Sequence, residues 1–338
     1  MKKGLLYLLM LVMSASMFTA CSDDDDSYKA LTAEYKADKL NFTFNNKTII
    51  DRAVSLEALN ETTGHLALKN MIAGEDSLVV NITMENIGGD NFSFTGKNET
   101  ADRSVSVTGD VKNGVMTLSS TFKILSSVVG KWETFSEYEG TSLYVDIKND
   151  KDSVTLPLMF GGKVSGTDLG QSLGLVGMIL PQLLADIELC EDGTLIAHYY
   201  ADLTSQGAGK APLEEKDLVT YNVKDGMIYI LIDINTLMSR SSYTPDIMGL
   251  IKTGIPLKFT VKEGKLRAYV DKQMMLPFLQ LLPVLAPSIK DVVLPEPAPS
   301  FGFTGELIAQ LMIDVVPVIQ NAEKADLGLD LRTPVAGN

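Results

Sequence analysis

The chain has 338 residues, a net charge of -14 from 29 Lys+Arg against 43 Asp+Glu, and 45% hydrophobic residues. This is the composition of a folding chain and not a disordered one, and its length predicts two packed cores. So acidic a surface with no Lys/Arg cluster has no counterion-release route to a phosphate backbone, which excludes nucleic acid as a partner.

Residues 1–20 have the layout of an export signal: Lys2 and Lys3, an apolar run from Leu5 to Met13, then small residues up to Ala20. The apolar run is too short to span a bilayer, so it predicts a removable signal peptide and not a membrane helix. Phe18-Thr19-Ala20-Cys21 resembles a bacterial lipobox. That resemblance implies that the Cys21 thiol receives diacylglycerol and becomes the first residue. The run Asp23, Asp24, Asp25 and Asp26 follows at once, and residues 21–27 read as an extended acidic tether. The same run resembles the acidic signal of Bacteroidetes-type lipoproteins carried to the outer face of the outer membrane. The expected location is therefore the outer membrane, lipid-anchored and facing the cell exterior.

From Leu40 to Leu125 apolar residues alternate with polar ones, as in Leu40, Phe42, Phe44 and again in Leu78, Val80, Ile82, Met84. Alternation places one face in a core and the other in water, which predicts about seven hairpin-linked antiparallel strands. A second region opens near residue 128. In it Leu143, Val145 and Ile147 share a face, as do Ile255, Leu257, Phe259 and Val261, and then Leu266, Ala268 and Val270. A phrase recurs at Val111-Lys112-Asn113-Gly114, Val223-Lys224-Asp225-Gly226 and Val261-Lys262-Glu263-Gly264, and each copy is expected to reverse a strand.

Three apolar stretches break the β pattern: Leu169 to Ala185, Gln273 to Ile289 and Leu307 to Gln320. The first two carry no charge but contain prolines, which predicts kinked helices or helical hairpins. The alternating prolines of Pro295 to Pro299 predict an extended strap. These helices either pack as plain core or form a lid over a barrel mouth, and the two readings are compatible.

Leu68 to Met71, Ile82 to Ile87 and Gly109 to Gly114 resemble the calycin-like β-barrels of gut Bacteroidetes lipoproteins, and Gly130-Lys131-Trp132 resembles the Gly-x-Trp that opens a lipocalin barrel. The resemblance implies a mainly β chain of two antiparallel, barrel-like domains, the second with added apolar helices. The expected division is 1–20 signal, 21–27 tether, 28–127 calycin-like domain, 128–290 lipocalin-like domain with helical insertions, and 291–338 strap and C-terminal helix.

Chemistry-bearing residues are sparse. His65 and His198 are the only histidines, too few for a histidine metal site or a common catalytic triad, so no metal and no cofactor are expected. Gly170-Gln171-Ser172-Leu173-Gly174 matches a nucleophile elbow but lacks the preceding parallel strand, so a Ser172 hydrolase ranks third. With Cys21 taken by lipid, Cys190 has no disulfide partner and reads as a small buried hydrophobe. The leading expectation is a non-enzymatic binding module for an apolar or amphipathic small molecule, held near Trp132, Leu173, Met178 and Leu183. The second is an adhesin or accessory envelope subunit whose polar Asn/Thr faces meet a protein or glycan.

Overall fold

The structure, a computed structural model, describes residues 27–50, 52–137, 140–233, 254–292 and 302–334. Cys21, the four aspartates of the tether and the Pro295–Pro299 strap lie outside the described residues. The chain is mainly β and builds two nine-stranded sheets.

The first sheet contains β1 (Ala33–Lys36), β2 (Leu40–Phe44), β3 (Lys47–Ile49), β4 (Ala53–Ala58), β5 (Thr63–Ile72), β6 (Glu75–Gly88), β7 (Asn91–Glu99), β8 (Arg103–Lys112) and β9 (Val115–Ile124). Strands β4 to β9 form an antiparallel meander; β1 pairs with β4 at one edge and β2 with β9 at the other, with β3 outside it. The β2–β9 pairing is parallel, Leu40 facing Met116 and Phe44 facing Ser120, an exception to the antiparallel expectation. Only Ala37–Lys39 separate β1 from β2, although these strands stand seven places apart in the sheet order. Seven strand spacings in a flat sheet amount to roughly 34 Å, far beyond the reach of three residues. The sheet therefore curls into a half-barrel with its edges brought together by one interrupted strand. Side-chain-free positions inside the strands permit the curl: Phe94 packs where a Cβ of Gly109 would lie, and Ile82 where one of Gly96 would.

Eight of the nine strands of the second sheet close into a barrel: β10 (Gly130–Glu133), β16 (Leu184–Leu189), β17 (Thr194–Tyr199), β18 (Leu213–Lys224), β19 (Met227–Ile232), β20 (Ile255–Lys262), β21 (Lys265–Asp271) and β22 (Lys324–Arg332). Between β10 and β16 the chain inserts β11 (Ser136–Glu137), β12 (Gly140–Thr141), β13 (Leu143–Lys148), β14 (Ser153–Thr155), β15 (Lys163–Ser165) and the helices α1 (Leu169–Ser172) and α2 (Gly174–Leu183). Between β21 and β22 it inserts α3 (Lys272–Leu279), α4 (Leu282–Ile289) and α5 (Gly305–Gln320). The recurring turn phrase behaves as expected: Asn113, Asp225 and Glu263 all have φ near +52° and each is followed by a glycine at positive φ. Each predicted apolar stretch is helical, but the first stops at Leu183, with Leu184 and Ala185 opening β16, and the second breaks into α3 and α4.

One apolar core runs through both sheets. It joins the half-barrel's Phe42, Phe92 and Leu118 to Trp132, Leu189, Tyr221, Ile228 and Leu331 of the barrel. A second core gathers Ile147 and Val154 with residues of the helices, including Leu169, Leu279, Val318 and Ile319. The helices are thus core in part, as the simpler of the two sequence readings expects.

At the junction the β5–β6 turn lies against the outer face of β18 and β19. Gly74 has φ +78°, and a Cβ there would come within 2.5 Å of the Tyr229 ring. Replacing Gly74 with Ala adds both backbone strain and a clash, and is expected to cost about 1–3 kcal/mol in a urea unfolding titration. An unchanged midpoint would show that the junction yields freely at this point.

Candidate functional site

The barrel's two ends differ. Its hairpin turns at 190–193, 224–227 and 262–265 all lie at one end, as up-and-down topology requires. That end is its floor, set against the half-barrel. The Ile124 amide donates to the Glu191 carbonyl (2.7 Å), the Asn45 Nδ2 donates to the Asp192 carbonyl (2.9 Å), and Gly193 packs on the Phe122 ring. All the described α-helices attach at the opposite end.

Strand register fixes which residues look into the lumen. Tyr221 faces Ile230, which faces Ile255; Ile228 faces Leu257; Phe259 faces Ala268, which faces Leu329; and Val270 faces Leu327. On β13 the same face carries Leu143, Val145 and Ile147, opposite Leu329, Leu327 and Ala325. The lumen face of β13 and β19 to β22 is therefore apolar throughout, without a charge. Near the floor it is dry: Trp132, Leu189, Tyr221, Val223, Ile228, Leu266 and Leu331 are buried, and the Trp132 Nε1 donates to the Val128 carbonyl at 2.7 Å. Higher up, Ile230, Ile232, Ile255, Leu257, Phe259 and Leu329 are only half-buried and Leu327 is 39% exposed. An eight-stranded barrel either fills its interior with side chains or leaves room for one small ligand, and the half-buried upper positions make the upper lumen the candidate site.

The residues singled out in the sequence fall at both ends of it. Trp132 is in the floor. Leu173 and Leu183 are half-buried at the two ends of α2, and Met178 on the same helix is 53% exposed. The half-buried isoleucines and leucines of β19, β20 and β22 carry the lining itself. Their alternation was visible in the sequence, but alternation does not distinguish a packed interior from a hollow one.

The other reactive groups are occupied elsewhere. Ser172 ends α1, which follows the short antiparallel pair β14–β15 and not a buried parallel strand. His198 is on the barrel's outer face, with Nδ1 2.5 Å from Asp186 and Nε2 3.9 Å from Glu214, so both ring nitrogens face carboxylates. Lys131 reaches the second oxygen of Asp186 at 3.0 Å. Among the described residues no group of three or more His, Cys, Asp or Glu is arranged to hold a metal, and no helix is long and apolar enough to cross a membrane.

Cys190 is half-buried in the floor turn, and burial, aided by Glu188 and Asp192, pushes its thiol up to about 11. Burial likewise raises Tyr221, whose hydroxyl donates to the Cys190 carbonyl at 2.9 Å, and raises Tyr35 and Tyr229. These groups are neutral acids whose ionisation the fold resists, so the unfolded chain loses their protons first. Stability is then fully present below the ordinary thiol value near 9 and is lost as pH rises from there through about 11. Urea midpoints should be flat between pH 7 and 8 and fall across pH 9 to 11, less steeply in Cys190→Ala.

A second concavity, of about 650 Å³, lies on the half-barrel. It is lined by the polar Asn41, Thr43, Thr48, Thr117 and Ser119 together with the apolar Leu40, Phe42, Ile49 and Leu118, with Ile50 81% exposed at its side.

The fold and site define a closed eight-stranded barrel whose lumen is apolar along β13 and β19 to β22, fused through a shared core to a curled half-barrel. Comparison with known protein families, with curated proteins and with solved structures finds no match to this chain.

Proposed function

We propose that this protein is a lipid-anchored, surface-exposed lipoprotein of the Bacteroidetes type that acts as a non-enzymatic binding module. Its barrel lumen takes an apolar or amphipathic small molecule. One observation carries the reading: the apolar lumen face of β13 and β19 to β22 stays partly uncovered in the upper barrel, where Leu327 is 39% exposed. Uncovered aliphatic surface inside a barrel is stabilised by whatever removes it from water, at roughly 25 cal/mol per Å². Export and anchoring rest on the residue pattern from Lys2 to Asp26, with Cys21 as the lipidated residue.

The test compares native with denaturing mass spectra of the full-length protein taken from its own membranes, followed by organic extraction. An apolar adduct released on denaturation is the expected result. It should disappear in Leu327→Arg, which places a cation where the native side chain is already partly exposed and so leaves the fold intact. A clean mass in the native chain would count against the lumen as a site.

The alternative reading, an interaction protein, is supported by the uncharged groove in which the hydroxyls of Thr43, Thr117 and Ser119 stand among apolar side chains such as Leu40 and Ile49. Hydroxyls without charges suit a neutral, hydrogen-bonding surface such as a glycan or a peptide backbone. A stoichiometric protein partner on co-purification, lost in Thr117→Lys, would favour it.

A further inference from the structure

We propose that α2 is the lid of the lumen, seated on Thr141 and Leu143 and lifting to pass ligand through the sector of the barrel wall between β16 and β13, where no ladder joins the described strands. The proposal rests on the lumen being the binding site.

The wall is uneven. One edge of β22 is held to β21 over seven residue pairs, from Lys265–Arg332 to Asp271–Asp326. Its other edge meets β10 through the single pair Glu133–Arg332 at the floor. Above that pair β22 takes β13 as its neighbour, from Leu329 up to Lys324. On the far side of the gap, β16 is bonded to Thr134, whose amide donates to the Ala185 carbonyl (3.1 Å) and whose hydroxyl donates to the Leu184 carbonyl. Phe135 and Ser142 then tie the two sides by a pair of hydrogen bonds, Phe135 N to Ser142 Oγ (2.7 Å) and Ser142 N to the Phe135 carbonyl (3.0 Å). From the floor upward the wall between β16 and β13 thus opens into a V, bridged by a loop and not by a ladder.

Helix α2 covers that V from the lumen side. A Cβ built on Gly177 would lie 3.3 Å from the Leu143 Cβ, and in the preceding α1 one on Gly170 would lie 3.6 Å from the Val145 Cβ, both partners being residues of the lumen face. The seat is close because Gly177 has no side chain: a Cβ there would come 2.2 Å from the Thr141 Oγ1. The cover is incomplete, since Leu327, directly across from Val145, keeps 39% of its surface exposed.

The helix is also weakly secured. Asp271 and Thr304 cap α3 and α5 through side-chain hydrogen bonds, whereas α2 has no such cap, runs for ten residues and contains Pro181. A short, uncapped helix interrupted by proline opens locally at low cost. Gly174, with nothing within 4 Å of its Cβ position, is the joint that lets α2 swing from α1.

The experiment measures stopped-flow binding and release of N-phenyl-1-naphthylamine, an uncharged apolar fluorophore, by the full-length protein. Gly177→Ala unseats the lid, and both rates are expected to rise together at least threefold with a smaller change in affinity. Adding Thr141→Gly removes the atoms that the new methyl meets and should restore the native rates. Unchanged rates in Gly177→Ala, or an increase that Thr141→Gly does not reverse, would overturn the lid. If the variant does not fold, amide exchange on the native protein decides: residues 174–183 should exchange faster than α5 and slow when the fluorophore is added. Protection equal to that of α5 and indifferent to the fluorophore would overturn the lid, and a native protein that binds no fluorophore would overturn both the lid and the binding reading.

Discussion

Replacing Arg103 with Met is expected to destabilise the protein by about 3–5 kcal/mol, one of the two largest effects of any single substitution considered. The Arg103 Nε and Nη2 donate to the two oxygens of Glu75 at 2.9 Å each, and both side chains are only 6% exposed. The remaining guanidinium nitrogen, Nη1, donates to Asn98 Oδ1 at 3.1 Å. Asn222 approaches from the barrel, its Nδ2 donating to the Ala73 carbonyl at 2.9 Å and lying 3.5 Å from Glu75. The pair therefore sits where the two sheets meet. Removing the cation leaves a carboxylate shut away from water with only an amide for company, and desolvation dominates the cost. Replacing both partners, Glu75→Leu with Arg103→Met, should recover most of the loss, because two charges leave together. Urea unfolding followed by the emission of Trp132, the chain's single tryptophan, measures both variants. Equal losses in the single and double variants would show that shape and not charge holds the junction.

Trp132→Ala should cost a similar amount, about 3–5 kcal/mol, for a different reason. The indole is 3% exposed and fills the barrel floor where it meets the half-barrel core, with its N–H satisfied by Val128. Deletion opens a cavity that neither sheet can collapse into without breaking its own ladder. Trp132→Phe keeps most of the volume and loses the hydrogen bond to Val128, so its cost should be a fraction of the alanine value. If the two variants prove equally stable, the floor is not packed as described.

Local features of this fold were legible in the sequence, and distant ones were not. Alternating residues such as Leu78 to Met84 specify strands because one face must be dry, and Asn113-Gly114 or Asp225-Gly226 specify reversals because positive φ is cheap there. The third apolar stretch, Leu307 to Gln320, matches α5 at its C-terminal end, whereas the Thr304 side-chain cap starts the helix two residues earlier, at Gly305. The parallel pairing of β2 with β9 was hidden, since period-two patterning is the same for either direction. So was the pairing of Glu75 with Arg103: a Glu followed by Asp and Ser on a strand reads as solvated until tertiary packing buries it. For the candidate site, the lining residues Ile255, Leu257 and Phe259 were recognised as one face. Their partial exposure is a tertiary property that no local pattern encodes, and so is the splitting of β22 between β10 and β13.

That split also sets an order of events during folding. Glu133 and Arg332, the pair that closes the barrel, stand roughly two hundred residues apart, a loop closure that slows folding severely. The half-barrel uses only Ala33–Ile124 and can form as soon as that stretch is available. The barrel must wait for β22, and until then β21 and β10 each offer an unpaired backbone edge to any neighbouring chain. The protein's most aggregation-prone moment is therefore late in its folding, in the interval before residue 332 reaches the sheet.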